Sequence, residues 1–194
     1  MSLGKVHGQI VDVALLPEKF PTHRHEAAFW ESLGRAVATF GFLEEVLGKA
    51  IFSFTATRPY LEAEIQQAYV EWLPKLKRAL SDPLWGLVDE YERSVQNYPH
   101  ALVPNLDELL KSLRKASKIR NVLCHASWGV PNEKGASIPL FVTRQGDAFE
   151  SEVDLAFIDQ VQRNATELAC AVVNSVTQMG WQFPGSNGPG DKIC

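Results

Sequence analysis

The chain has 194 residues, 45% of them hydrophobic and 22% charged, which suits one soluble globular domain with a sizeable core. A formal charge of −4 excludes a protein that coats nucleic acid over its whole surface, so any contact with RNA must be local. No apolar run approaches the ~20 residues of a membrane span, and the N-terminus lacks the charged-then-apolar pattern of a signal peptide, so no membrane partner is expected.

Cys124, Cys170 and Cys194 form no CxxC or zinc pattern. A reducing, cytoplasmic setting fits, with Cys124 and Cys170 as small core residues and Cys194 as a free thiol. No metal and no cofactor is expected.

Residues 1–23 read as an extended N-terminal arm packed on the body: Val6 to Leu16 alternates like a strand until Pro17 and Pro21 break it. His23-Arg24-His25 has no third ligand nearby and reads as a helix N-terminus in solvent. The helical domain spans 24–180. Its first helix is expected from Arg24 to Thr55, where Trp30, Leu33, Val37, Phe40, Leu47, Ile51 and Phe54 step by three and four residues. Glu44 interrupts this seam, and a carboxylate there is costly unless paired or wet. Two readings stay open: Glu44 holds Arg120 or His125 in place, or it sits at the seam edge and reaches water.

After Arg58-Pro59, a second helix is expected from Tyr60 to Leu80, kinked or ended by Pro74. Ser81 or Asp82 caps a third helix running to Tyr98, with Pro83 in its first turn and Trp85, Val88, Tyr91 and Val95 as its buried stripe. His100, between Pro99 and Pro104, reads as a surface loop residue. Asn105 caps the fourth helix, Leu106 to Ala126, with Glu108 at capping-box spacing.

The fourth helix carries the chemistry. Each residue turns about 100°, so Asn121 and His125 share a face, with Ser117 and Arg114 further along the same line and Arg120 beside it. Leu106, Leu109, Leu113, Ala116, Ile119 and Leu123 fall on the opposite, core-facing side. Histidine can give or take a proton near neutral pH, and arginine offers a permanent forked donor for a phosphate oxygen. Lys111, Arg114, Lys115, Lys118 and Arg120 add a local basic patch. The competing reading is a helix end where Arg120 pairs with a carboxylate and His125 caps carbonyls.

Beyond it, Gly129, Pro131, Asn132 and Gly135 break the helix. Ile138 to Val142 and Ala148 to Val153 flank Arg144-Gln145-Gly146-Asp147, a β-hairpin signal, with Pro139 suggesting an edge strand. The last helix, Asp154 to Met179, has Leu155, Ile158, Ala165, Leu168, Ala169, Val172 and Val176 on its apolar face, and Gly180 ends it. Residues 181–194 read as a flexible tail whose start Trp181 and Phe183 pin. The sum is an all-α bundle of about five helices with a small hairpin before the last.

Arg120-Asn121-Val122-Leu123-Cys124-His125 resembles the motif of the HEPN superfamily: an arginine, a polar residue directly after it, and a histidine beyond a short spacer. The stretch from Gly41 to Ile51 is similar to the first helix of some HEPN relatives, which carries an acidic residue; Glu44 and Glu45 are the two candidates here. The resemblance implies a HEPN-like helical bundle and a homodimer. It further implies a metal-independent endoribonuclease of a prokaryotic toxin or defence system, with Arg120, His125 and Asn121 catalytic and Glu44, Ser117 and Arg114 supporting. RNA is then the substrate, and a cognate antitoxin protein a partner. HEPN relatives without catalysis also exist, so a non-catalytic module that binds RNA, a nucleotide or a protein through the same face is the alternative.

Overall fold

A computed structural model describes residues 11–57, 61–79, 82–99 and 101–186. Five α-helices make up the described fold: α1 (Ala27–Ala56), α2 (Ile65–Ala79), α3 (Leu84–Gln96), α4 (Leu106–His125) and α5 (Leu155–Thr177). The 30-residue α1 is the axis. It packs most extensively on α5 and next on α3, while α3 and α5 each also touch α4.

The buried seam of α1 keeps Leu33, Phe40, Leu47, Ile51 and Phe54 from the expected one but takes Ala36 and Leu43 in place of Val37 and position 44. Leu33, Ala36, Phe40, Leu43, Leu47, Ala50 and Phe54 are all buried and step by three and four without interruption. Val37, assigned to the seam from its spacing, is instead 36% exposed. Glu44 therefore does not break the seam but flanks it, next to Leu43, so the core contains no carboxylate on this line. Each large apolar side chain fully buried here contributes about 1.5–3 kcal/mol.

Several local expectations are corrected. The arm shows no strand over its described residues 11–23; it forms short 3₁₀ turns at Val13–Leu15 and Thr22–Arg24, almost entirely exposed. Residues 1–10 and the start expected for the second helix at Tyr60 lie outside the described residues. α2 runs through Pro74. Pro83, not Ser81 or Asp82, is the N-cap residue of α3, and its side chain has no hydrogen to give or lone pair to offer. Asn105 precedes α4 in the left-handed conformation (φ 55°) with no side-chain cap hydrogen bond, a backbone state asparagine tolerates better than most residues. Cys124 and Cys170 are exposed rather than core residues. His100 and Cys194 lie outside the described residues.

Residues 127–153 link α4 to α5. Among the described residues they form no strand, only isolated antiparallel pairings: Ser127 with Leu140, Ser137 with Val153, and Val142 with Ala148. The last two fit one antiparallel register about the turn, as does Phe149 N–H donating to Phe141 O at 3.0 Å, but they stay isolated and build no strand. Gly146 N–H donates to Thr143 O (3.0 Å), Thr143 N–H to Asp147 O (2.9 Å), and Gly146 takes φ 93°. Pro139 removes one ladder donor, and Leu140 turns instead to Ser127.

The connection is fastened to the start of α1 by His25. This residue was expected in solvent, yet it is buried, 3.0 Å from Ser137 Oγ through Nε2 and stacked on Phe29 at 3.9 Å. Trp30 and Trp128 close the aromatic cluster edge-on. Desolvation holds the imidazole below its ordinary pKa, and a hydrogen bond to the Gly129 backbone opposes part of that shift. The fold therefore favours the neutral ring. His25 contributes fully above the unfolded value of about 6.5, and its contribution falls as pH drops from there through the lowered folded pKa. Wild type should lose stability on acidification faster than His25→Phe when thermal midpoints are compared from about pH 8 down to about pH 5. Parallel curves would show that His25 is not the group involved.

At the other end, Phe183 is buried, and Trp181 packs edge-on against Tyr98 (4.9 Å) and Phe54 (5.7 Å), so the described start of the tail is anchored. Tyr91 Oη donates to Ser175 Oγ (2.7 Å), which donates to Val172 O (2.6 Å). Burial pushes the Tyr91 phenol up to about 12, so it stays a neutral donor tying α3 to α5. No helix among the described residues is long and apolar enough to cross a membrane.

Candidate active site

The last turns of α4 form one wall of a cavity of 980 Å³ and contribute Lys118, Arg120, Asn121 and His125 to it. Trp85, at the start of α3, lines a second side, and the 127–153 connection supplies Phe141, Arg144, Asp147 and Phe149. Of these polar side chains, Arg120 and Asn121 are half-buried, whereas His125 and Lys118 are exposed.

Arg120 is held from beneath by α1. Its Nη2 lies 3.3 Å from Glu44 Oε1, both side chains being roughly a quarter exposed (23% and 24%). This decides between the two acidic candidates, because Glu45 turns the other way and meets Lys49 at 2.6 Å. Glu44 Oε1 is buried and accepts no hydrogen bond among the described residues, so the pair rests on charge at 3.3 Å rather than on a directional bond. A carboxylate so placed depends on its cation. Glu44→Ala leaves the half-buried guanidinium alone and should cost about 1–2 kcal/mol, read from the denaturant midpoint. Glu45→Ala, on the surface, should cost well under ~1 kcal/mol.

The competing helix-end reading is met only in part. Arg120 does pair with a carboxylate, but neither the His125 ring nor the Asn121 amide has a hydrogen-bond partner among the described residues. Both therefore present unused donors and acceptors to the cavity.

The supporting residues fare differently. Ser117 is buried, only 3% exposed, and does not line this cavity. Arg114 reaches away to α3, where it bonds Glu92 (2.5 Å) and Asp89 (3.2 Å). Those bonds, Glu92 first, raise its pKa further. The basic patch is thus divided: Arg114 is neutralised, Lys111 leans toward Glu108 at 3.9 Å, and Lys118 and Arg120 remain at the cavity.

Spacing along α4 gave no sign of the opposite walls. Trp85, expected to be buried, is 58% exposed. Arg144 stood in the turn sequence as a hairpin residue only, yet the turn sets it on the wall facing α4. Among the described residues no group of three or more His, Cys, Asp or Glu side chains converges as a metal site.

Comparison with known proteins adds no relative: no family model matches the chain, and no curated protein or solved structure matches it significantly.

Proposed function

We propose that this protein is a metal-independent endoribonuclease of HEPN type, a toxin or defence component that cuts RNA by attack of the 2′-hydroxyl. The observation carrying this reading is Arg120, steadied by Glu44 at 3.3 Å on the wall of a cavity it shares with an exposed His125 that has no hydrogen-bond partner among the described residues. RNA carries its own nucleophile beside each phosphate. His125 takes the 2′-hydroxyl proton, and the oxygen attacks the adjacent phosphorus. The bond to the 5′-oxygen breaks, leaving a 2′,3′-cyclic phosphate on one fragment. The Arg120 fork meets the charge that grows on the phosphoryl oxygens, and Asn121 orients the imidazole or the phosphate.

The departing 5′-oxygen needs a proton, and a second histidine must give it. A homodimer with two Arg120–His125 faces opposed across a two-fold axis supplies that group at no cost in sequence. Val122 and Trp128, apolar residues beside this face, are engaged inside the subunit: Val122 is buried, and Trp128 packs against Phe29 at 5.0 Å. The interface must therefore use other apolar surface and exceed about 1,000 Å². Light scattering at micromolar concentration should give twice the chain mass; a monomer removes the shared-site mechanism.

The direct test is purified protein with mixed RNA in EDTA beside a His125→Ala control. Cleavage leaving cyclic phosphate ends, with DNA uncut, supports the reading. The total charge of −4 and the loss of Arg114 to acidic partners favour a second one: a non-catalytic helical module that binds RNA, a nucleotide or a protein partner through the same cavity. Intact RNA in that assay favours this module.

A further inference from the structure

Trp85 stands apart from the other tryptophans whose side chains are described. Trp30 and Trp128 are joined in the cluster around His25, and Trp181 packs between Phe54 and Tyr98. Trp85 makes no ring contact among the described residues and leaves 58% of its surface exposed. A helix turn that needed only a core anchor would have gained more from turning the indole inward, as Leu84 and Leu87 on either side of it are buried. The indole lines the cavity instead, along with Arg120, Asn121 and His125.

The remaining walls add what a nucleotide needs. Lys118 and Arg144 line the same cavity, and neither forms an ion pair among the described residues. Asp147 is the acid on the lining, and it is occupied at the turn, where its backbone N–H bonds Thr143 Oγ1 at 3.1 Å and its carboxylate faces the same hydroxyl at 3.5 Å. Unpaired cations next to an open aromatic face are the combination that grips single strands: the cations follow the phosphates, and a base stacks on the ring. A base inside a duplex has no free face to offer.

We propose that Trp85 is the base-stacking residue of this cavity, with Lys118 and Arg144 holding the flanking phosphates, so that the strand presented to Arg120 and His125 is unpaired at the stacked nucleotide. This rests on reading the cavity as the nuclease's RNA site, but stacking needs no 2′-hydroxyl, and that allows the two ideas to be tested apart.

The probes are a short fluorescein-labelled single-stranded RNA of mixed sequence, its DNA counterpart, and the same RNA annealed to its complement. They are titrated by anisotropy into full-length His125→Ala and into the same protein carrying Trp85→Ala or Trp85→Tyr. Single-stranded RNA and DNA should both bind more tightly than the duplex. Trp85→Ala should weaken single-strand binding by roughly tenfold or more, and Trp85→Tyr should restore most of it. Strand binding that depends on Trp85, in a protein that cuts no RNA, keeps the stacking assignment and removes the nuclease. Cleavage by wild type with single-strand affinity unchanged in Trp85→Ala removes the stacking assignment and keeps the nuclease. Equal affinity for duplex and single strand also overturns it, as does a dimer that becomes monomeric in Trp85→Ala while nucleic-acid affinity is unchanged.

Discussion

Arg120→Ala is expected to slow RNA cleavage by at least ~100-fold, the scale of losing one donor aimed at a transition-state charge. His125→Ala should abolish cleavage altogether. The exposed imidazole adds little to the core, so His125→Ala should stay within ~1 kcal/mol of wild type in stability. Arg120→Lys is the sharper probe. It keeps the charge that Glu44 Oε1 faces at 3.3 Å, so the fold should tolerate it, but it loses the planar fork. Its rate should fall close to that of the alanine variant while its melting curve stays near wild type. Full activity in Arg120→Lys would mean that a point charge suffices; activity surviving both His125→Ala and Arg120→Ala would point to another site or a contaminant.

The largest effect on stability is expected at the α1 seam. Phe40 is 1% exposed and faces the helices packed on α1. Phe40→Ala should cost about 3–5 kcal/mol, through lost burial and the cavity left behind. Val37→Ala, one position off the seam and 36% exposed, should cost well under ~1 kcal/mol. Denaturant midpoints for the two variants check the register directly; comparable losses at both positions would refute it.

That register shows how far the sequence could be read. The helices were legible because apolar residues recur at three and four over long stretches, and the ends of α1, α4 and α5 fall within a few residues of their expected limits. Which of two adjacent seams faces inward was not legible, since Leu33, Phe40, Leu47 and Phe54 belong to both. Only the neighbours, α3 and α5, decide for Ala36 and Leu43 over Val37 and Glu44, while Ala50 and Ile51 are both buried. The same ambiguity explains Ser117. Four residues turn about 400°, so a line drawn through Ser117, Asn121 and His125 drifts about 40° at each step. One end of it lies in the core and the other in the cavity.

The pair of Arg120 with Glu44 had a sequence signal, a carboxylate beside a seam and a guanidinium needing a partner, although spacing alone could not choose Glu44 over Glu45. Trp85 and Arg144 had none. Their place depends on how the start of α3 and a long connection sit relative to α4, and no local periodicity encodes that. The hairpin's turn and the register of Ser137 with Val153 and Val142 with Ala148 were legible, but Pro139, which has no N–H, and the pairing of Leu140 with Ser127 leave those contacts isolated rather than joined into strands.

The 127–153 connection divides the cavity by heritability. The groups proposed for chemistry stand on α4, a helix whose other face is locked into the core, so substitutions there are felt throughout the bundle. The wall opposite them belongs to residues 141–149, mostly exposed and paired once, Val142 with Ala148, while Trp128, Val153 and the His25 contact fasten the ends of the connection to the core. Such a segment can lengthen, shorten or change sequence with little penalty to folding. Descendants of this chain can therefore diversify in what they grip while inheriting unchanged the means of acting on it, and a designer wishing to redirect the protein would begin between Phe141 and Phe149.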